Sequence, residues 1–293
     1  MSTTHHELAN LSLIGDRKVN QDRCVAVTRD STLLLVLADG MGGHPKGEAA
    51  AQILVDTCRR FFKQTPLPIL SPGSFLKRLL HKAHEGIVSY GFAQEPAIEP
   101  RTTAVVALIQ NGFAYWAHTG DSRLYLFRNG ELLTRTRDHS YVERLLEMGV
   151  ITESELENHP QKNYVTRCLG GTISLPDIPL QKHEIRNGDI IALCSDGVWG
   201  NLKEPLMTQK LFSGLSLDHA VQAITQDAAL SGFPEADNAT LIATRIGGLT
   251  ETAKALEPRS PPDTETEEKL DEAIASLQDA INHFEDELKQ EKK

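Results

Sequence analysis

The sequence predicts an α+β fold: an antiparallel β-sandwich flanked by helix layers, followed by a C-terminal helix. Three observations predict it. Seven short runs rich in β-branched and apolar residues are spread between residues 24 and 245. Asn-Gly pairs at Asn111-Gly112, Asn129-Gly130 and Asn187-Gly188 punctuate them. The long helical periodicities are segregated from the strands. Both residues of an Asn-Gly pair tolerate positive φ, the requirement of a two-residue hairpin turn, so these pairs mark hairpins. Hairpins mean antiparallel pairing, which argues against a doubly wound parallel sheet.

Taken in order, the expected strands are Cys24–Thr28, Thr32–Ala38, Thr103–Gln110, Phe113–His118, Arg123–Arg128, Asp189–Cys194 and Ala239–Arg245. Two helices fall between the second and third strands. The first, Gly47–Lys63, places Ala50, Ile53, Leu54, Cys58, Phe61 and Phe62 at helical spacing. The second, Ser74–Tyr90, carries Leu76, Leu79, Leu80, Ala83 and Ile87 on one face, with Ser74 as its expected N-cap. A third, Leu217–Leu230, carries Ala220, Val221, Ile224 and Ala228. Residues 1–248 form the expected main domain.

Composition shifts after Ile246. Residues 249–267 contain Pro258, Pro261 and Pro262 among Thr, Ser and Glu and read as a linker. Residues 268–290 then read as an amphipathic helix: Leu270, Ile274, Leu277, Ile281, Phe284 and Leu288 follow one another in steps of four and three. That is a coiled-coil seam, short enough to be marginal alone.

The chain has 293 residues, 40% hydrophobic and 24% charged, enough to bury a core. A net charge of -10 argues against nucleic acid as a partner, since phosphate contacts need clustered Lys and Arg. No apolar run approaches the ~20 residues of a membrane span. The start of the chain lacks the apolar core of a signal peptide. Cys24, Cys58, Cys168 and Cys194 form no CxxC pair, so neither zinc nor redox chemistry is indicated, and a reducing cytoplasm fits best.

Chemistry enters where acidic residues recur at strand ends. Asp39-Gly40 closes one apolar run and Asp196-Gly197 follows another; Asp121 and Asp237 sit at two further ends. Mg²⁺ and Mn²⁺ want about six oxygen ligands, taken from a few carboxylates plus waters. Two such ions a few Å apart can share a carboxylate and activate a bridging water. A glycine after the Asp leaves room for a carbonyl to approach an ion. A nearby Arg can grip a phosphate with both arms. Each piece alone has a plainer reading: Asp-Gly is commonly just a turn, and Arg17 an ordinary surface cation. Gly40–Gly43 lacks the Gly-Lys-Ser/Thr of a P-loop.

The ordered set is what matters: Arg17-x-x-Asn20-Gln21-Asp22, Ala38-Asp39-Gly40-Met41-Gly42-Gly43, Thr102-Thr103, His118-Thr119-Gly120-Asp121-Ser122-Arg123, Asp138-His139-Ser140, Thr166-Arg167-x-Leu169-Gly170, Ser195-Asp196-Gly197 and Asp237-Asn238. From about Leu8 to Ile246 it resembles the bacterial form of the type-2C metal-dependent Ser/Thr protein phosphatase family. The resemblance implies two antiparallel sheets between helix layers and hydrolysis of phosphoserine and phosphothreonine in proteins, by direct attack of a metal-bridging water. It implies Mn²⁺ or Mg²⁺, two core ions and a third, weaker one. Asp39 would bridge the core ions and Gly40 would lend its carbonyl. Asp196 and Asp237 would complete the ligand set of the other core ion, and Asp121 would share the third ion with Asp196. Arg17 would bind substrate phosphate, Asp22 would orient the attacking water, and Asn238 would fix Asp237.

Some positions depart from the family pattern. Gln21 stands where many members carry Glu, so a water-mediated metal contact loses its charge. Met41 stands where eukaryotic members carry a histidine suggested as general acid, so that acid is unassigned; His44 is nearby at a different spacing. Arg101 stands where Gly is usual.

Residues 140–163 fall where the family places a flap beside the cleft; a packed helical insertion explains them as well. His81 and His84 read as ordinary helix histidines. An opposing Ser/Thr kinase is the family expectation. An alternative reading makes the chain an interaction protein, in which the 268–290 helix binds a partner, self-associates or docks on the catalytic domain, and catalysis is secondary.

Overall fold

The computed structural model describes residues 6–156, 159–171 and 178–249. In chain order its strands are β1 (Glu7–Leu13), β2 (Asp22–Arg29), β3 (Thr32–Asp39), β4 (Arg101–Thr102), β5 (Ala104–Gln110), β6 (Phe113–Thr119), β7 (Arg123–Arg128), β8 (Glu131–Arg135), β9 (Leu169–Gly170), β10 (Leu180–Glu184), β11 (Ile190–Cys194) and β12 (Ala239–Arg245). The helices are α1 (Gly47–Gln64), α2 (Pro72–Phe92), α3 (Tyr141–Glu147), α4 (Glu153–Leu156), α5 (Asp196–Trp199), α6 (Glu204–Leu211) and α7 (Leu217–Gly232).

Two five-stranded sheets form, ordered β1-β12-β11-β7-β8 and β10-β6-β5-β3-β2, and every pair in them is antiparallel. Strand β3 shows why the layers stack as they do. Its side chains alternate in direction, yet Leu33 to Ala38 are all buried. Leu33, Leu35 and Leu37 pack between the sheets against Leu124, Leu126, Ile191, Leu193 and Ile242. Leu34, Val36 and Ala38 pack on the other side against Leu54 and Phe62 of α1 and Leu76 and Leu79 of α2. A strand apolar on both faces needs two partners, a sheet and a helix layer. Each such side chain contributes about 1.5–3 kcal/mol by leaving water. The other sheet is covered likewise, with Val221 and Ile224 of α7 packed over Ala192, Leu241 and Ala243. The expected sandwich between helix layers is what forms.

Several details differ from expectation. Asn111-Gly112 and Asn129-Gly130 are hairpin turns with positive φ at both residues. Asn187-Gly188 is not a hairpin, because it joins β10 of one sheet to β11 of the other. There the Gly188 N–H donates to the Ile246 carbonyl at 2.8 Å. Helix α2 starts at Pro72, which suits the first turn, so Ser71 and not Ser74 holds the cap position. Asp39 and Asp22 each belong to a longer strand than the sequence indicates, and they face each other across the β2–β3 ladder. In the 140–163 segment, Ser140 caps α3 by accepting from the Glu143 N–H. Thr152 donates to Glu155, as its capping-box spacing predicts. The 249–267 linker, except for Leu249, and the 268–290 helix lie outside the described residues.

Candidate metal and phosphate site

Asp39 is the last residue of β3, and its backbone is fixed by the Thr102-Thr103 pair. The Asp39 N–H donates to Thr103 Oγ1 at 3.0 Å, and the Asp39 carbonyl accepts from Thr103 N–H at 2.8 Å and from the Thr102 hydroxyl at 2.9 Å. Thr103 Oγ1 in turn lies 2.7 Å from Ser122 Oγ. Gly40 then passes so close to α1 that a Cβ on it would stand 2.4 Å from the carbonyl carbon and oxygen of Gly47. Only glycine allows that approach.

Asp196 opens α5 directly after β11, and Asp237 precedes β12, the strand paired with β11. Asp121 lies in the β6–β7 turn, where Gly120 has φ +103° and its absent Cβ would clash with Thr103. Arg17 comes from the β1–β2 loop and donates through Nη2 to Asp237 Oδ2 at 2.7 Å. That pair is half exposed, so it contributes little stability. Asn238 closes this corner: its Nδ2 donates to the Ile14 and Val19 carbonyls, and its Oδ1 accepts from the Gln21 N–H at 2.7 Å. Its own N–H donates to Asp237 Oδ1 at 2.7 Å. Asn238 therefore positions the loop that carries Arg17 as well as Asp237.

Arg17, Gln21, Asp39, Gly40, Asp121, Asp196, Asp237 and Asn238 all line one cleft of about 950 Å³. Asp22 does not line it. It is buried behind, with Oδ2 accepting from Ser195 Oγ at 2.7 Å and Oδ1 buried without a hydrogen-bond partner. Burial and then neighbouring carboxylates raise the pKa values of this group. Asp22 is pushed up to about 7 and Asp196 to about 6, while Asp39 and Asp121 lie well above the usual carboxylate range. Crowded carboxylates with Arg17 as their partner cation are short of positive charge.

The donor set is all oxygen, which suits Mg²⁺ or Mn²⁺ rather than zinc or copper. The cradle at Gly40 and the unpartnered Asp22 Oδ1 fit the same reading. Among the described residues, no three His, Cys, Asp or Glu side chains by themselves form a group that could hold a metal ion. Elsewhere His81 pairs with Glu85 on the surface of α2, and His84 accepts from the Gly170 N–H at 3.1 Å, so the two do not form a site.

Lys18 and Glu48 also line the cleft, and the sequence marks neither as a site residue; Arg101, marked there only as a departure from the family pattern, lines it as well. Glu48 accepts a 3.4 Å hydrogen bond from Gln21 Nε2, and its place one residue after Gly47 was the available signal. His44 lines the cleft too, with its basicity lowered by burial and then by Arg101.

Beside the cleft, the rings of His118 and His139 stack with centroids 4.5 Å apart. Burial, then His118 and Arg167, lower the His139 pKa to about 3. The folded value lies below the ordinary value of about 6.5, so the folded state favours the neutral ring. The stabilisation is complete above about pH 6.5 and is lost as pH falls from there toward 3. Urea midpoints from pH 7 to pH 4 are expected to fall less steeply in His139→Gln than in the wild type. Equal acid slopes would remove this assignment.

No helix among the described residues is long and apolar enough to cross a membrane. Comparison with known proteins agrees with the geometry. The family description "Protein phosphatase 2C" matches residues 12–231. The chain is 32% identical over 232 residues to the serine/threonine protein phosphatase PstP of Mycobacterium tuberculosis, covering 77% of this chain and 42% of PstP, so it spans less than half of that relative. It is 30% identical over 266 residues to the protein phosphatase PhpP of Streptococcus pneumoniae, covering 88% of this chain and all of PhpP. The catalytic domain of PstP, crystallised with two manganese ions, superposes with a TM-score of 0.71 at 29% identity, covering 83% of this chain and 98% of that domain. The chain belongs to the protein phosphatase 2C family.

Proposed function

We propose that this chain is a Mn²⁺- or Mg²⁺-dependent protein phosphatase that hydrolyses phosphoserine and phosphothreonine in proteins by direct attack of water on phosphorus. The observation that carries the reading is the convergence of Asp39, Asp121, Asp196 and Asp237 from four strand ends on one cleft with Arg17. Asp39, the Gly40 carbonyl, Asp196 and Asp237 would hold two ions, and Asp121 with Asp196 a third. A divalent ion there supplies the Lewis acidity that makes water nucleophilic at neutral pH and offsets phosphoryl charge. Arg17, already at the cleft wall, forks the substrate phosphate in exchange for its exposed contact with Asp237. Asp22 lies behind the cleft and not in it, so any orientation of the attacking water by Asp22 would pass through its neighbours, such as Asp39 across the β2–β3 ladder. Buried Cys58 and Cys194 offer no nucleophile, and no Cys-x5-Arg loop occurs in the sequence.

The test is hydrolysis of an aryl phosphate and a phosphothreonine peptide. Turnover is expected to stop with EDTA and return with Mn²⁺; equal rates in EDTA and in Mn²⁺ would overturn the reading. The substrate chemistry calls for a Ser/Thr kinase as the opposing enzyme. The heptad seam of residues 268–290 supports a partner or self-association role for that segment. Light scattering with and without residues 249–293 tests self-association; an unchanged monomer mass argues against it.

A further inference from the structure

Among the charged cleft residues left without a role above, which include Lys18, Glu48 and Arg167, one also departs from the family pattern. Arg101 stands where the resemblance expects glycine. Its backbone is committed: Arg101 pairs with Gly170 in the β4–β9 ladder, and its carbonyl accepts from the Met41 N–H at 3.0 Å. The side chain therefore leaves from a fixed point between the glycine loop and the return of the 140–163 segment. Its guanidinium runs across Gly171, whose absent Cβ would lie 3.1 Å from Nε and 3.3 Å from Cζ. Any larger residue at position 171 would crowd it. The Cys168 thiol lies beside it.

The guanidinium is incompletely satisfied. Nη2 donates to Glu99 Oε2 at 2.8 Å, while Nε is buried without a hydrogen-bond partner. Arg101 lines the cleft. Glu99 lines instead a separate small hollow of about 110 Å³. The Glu99 side chain is 44% exposed, so its hold on the guanidinium is weak. An anion entering from the cleft can share or take that charge. Arg17 is anchored on a different residue, Asp237, so the cleft holds two separately anchored guanidinium groups, and it is far larger than one phosphate.

We propose that Arg101 is a second anion-binding point of the cleft, selecting phosphoproteins that carry another anionic group, phosphate or carboxylate, close to the residue being dephosphorylated. The inference rests on the phosphatase reading above. A planar fork fits either group with two parallel hydrogen bonds, which a glycine cannot offer.

Three peptides of one sequence test it, each with the same phosphothreonine. One has neutral flanks, one carries flanking Asp residues, and one carries a second phosphothreonine. The wild type is expected to show kcat/KM about tenfold higher on an anionic peptide than on the neutral one, chiefly through KM. Preference for the doubly phosphorylated peptide alone identifies phosphate as the ligand, for the Asp peptide alone carboxylate, and for both any anion. All three support the inference. Arg101→Gln and Arg101→Gly are expected to bring the ratio toward one, Arg101→Lys to restore part of it, and Glu99→Gln to raise it. The ratio is internal to each protein, so partial unfolding scales its peptides alike. Equal kcat/KM on all three peptides in the wild type, or an unchanged ratio in Arg101→Gln, overturns the inference. Absence of Mn²⁺-dependent hydrolysis of every substrate, aryl phosphate included, overturns the phosphatase reading instead.

Discussion

Asp39→Asn is expected to lower Mn²⁺-dependent aryl phosphate turnover by roughly a thousandfold, about 4 kcal/mol of barrier, and to raise the melting temperature of the metal-free protein. The two effects share one cause. Asp39 faces Asp22 across the β2–β3 ladder and lies near Asp196, Asp121 and Asp237, all of which oppose its ionisation. Without divalent ions that repulsion is uncompensated, and an amide of equal size relieves it. With ions, the same carboxylate would serve as a ligand, and an amide would be a poor one. Relief of about 1 kcal/mol would raise the melting temperature by about 2–4 °C in a domain of this size. Mn²⁺ should stabilise the wild type by mass action and stabilise the variant much less. Thermal shift with and without Mn²⁺, beside initial rates, reads both. An active variant, or one that melts lower without metal and gains as much from Mn²⁺ as the wild type, would refute the assignment of Asp39 as a shared ligand.

Asp138→Ala is expected to cost about 3–5 kcal/mol of stability, the usual penalty for removing one partner of a buried ion pair. Arg123 donates through Nε and Nη2 to the two Asp138 oxygens, each at 2.8 Å, and both side chains are nearly buried. The Arg123 guanidinium also lies 3.6 Å from the centre of the Trp199 ring, and Trp199 Nε1 donates to the Asp121 carbonyl at 2.9 Å. Truncating Asp138 strands a charge in low dielectric beneath a cleft carboxylate. Urea unfolding should show the loss as a lower midpoint at unchanged slope. The double variant Arg123→Met, Asp138→Leu should recover most of it, since an apolar pair of similar volume avoids the desolvation penalty. A single variant within 1 kcal/mol of the wild type would show that water reaches the Arg123 side chain.

The cleft was largely legible because its chemistry sits on apolar strands. Asp39 follows a run buried on both faces, and a carboxylate at the end of such a run has few places to go but the sheet's edge. Strands β1, β8 and β10 were not legible. Each lies at a sheet edge; Leu180–Glu184 exposes most of its residues and Glu131–Arg135 buries none, so the apolar alternation that signals a strand is missing. At Asn187-Gly188 only Gly188 takes positive φ, and the connection is not the expected one, because the dipeptide says nothing about which sheet receives the next strand. The Ser195 hydroxyl on Asp22 and the Asn238 amide on the loop carbonyls depend on side chains 173 and more residues apart meeting in space. Arg101 could be seen in the sequence only as a departure. Its meaning needed Gly171 and Glu99 beside it.

The pairing of β1 with β12 has a consequence for synthesis. Glu7 lies opposite Arg245, and Leu13 opposite Ala239, so the first described strand waits for the last described one. Arg17 and Asp237, which touch in the cleft, are 220 positions apart. Contacts of such separation form late and slow folding. A nascent chain still lacking β12 has Asp39 and Gly40 but neither Asp237 nor the Asn238 clasp on the Arg17 loop. A chain cut short before Asp237 therefore lacks part of the cleft wall, and on the reading proposed above it would leave phosphorylation marks in place.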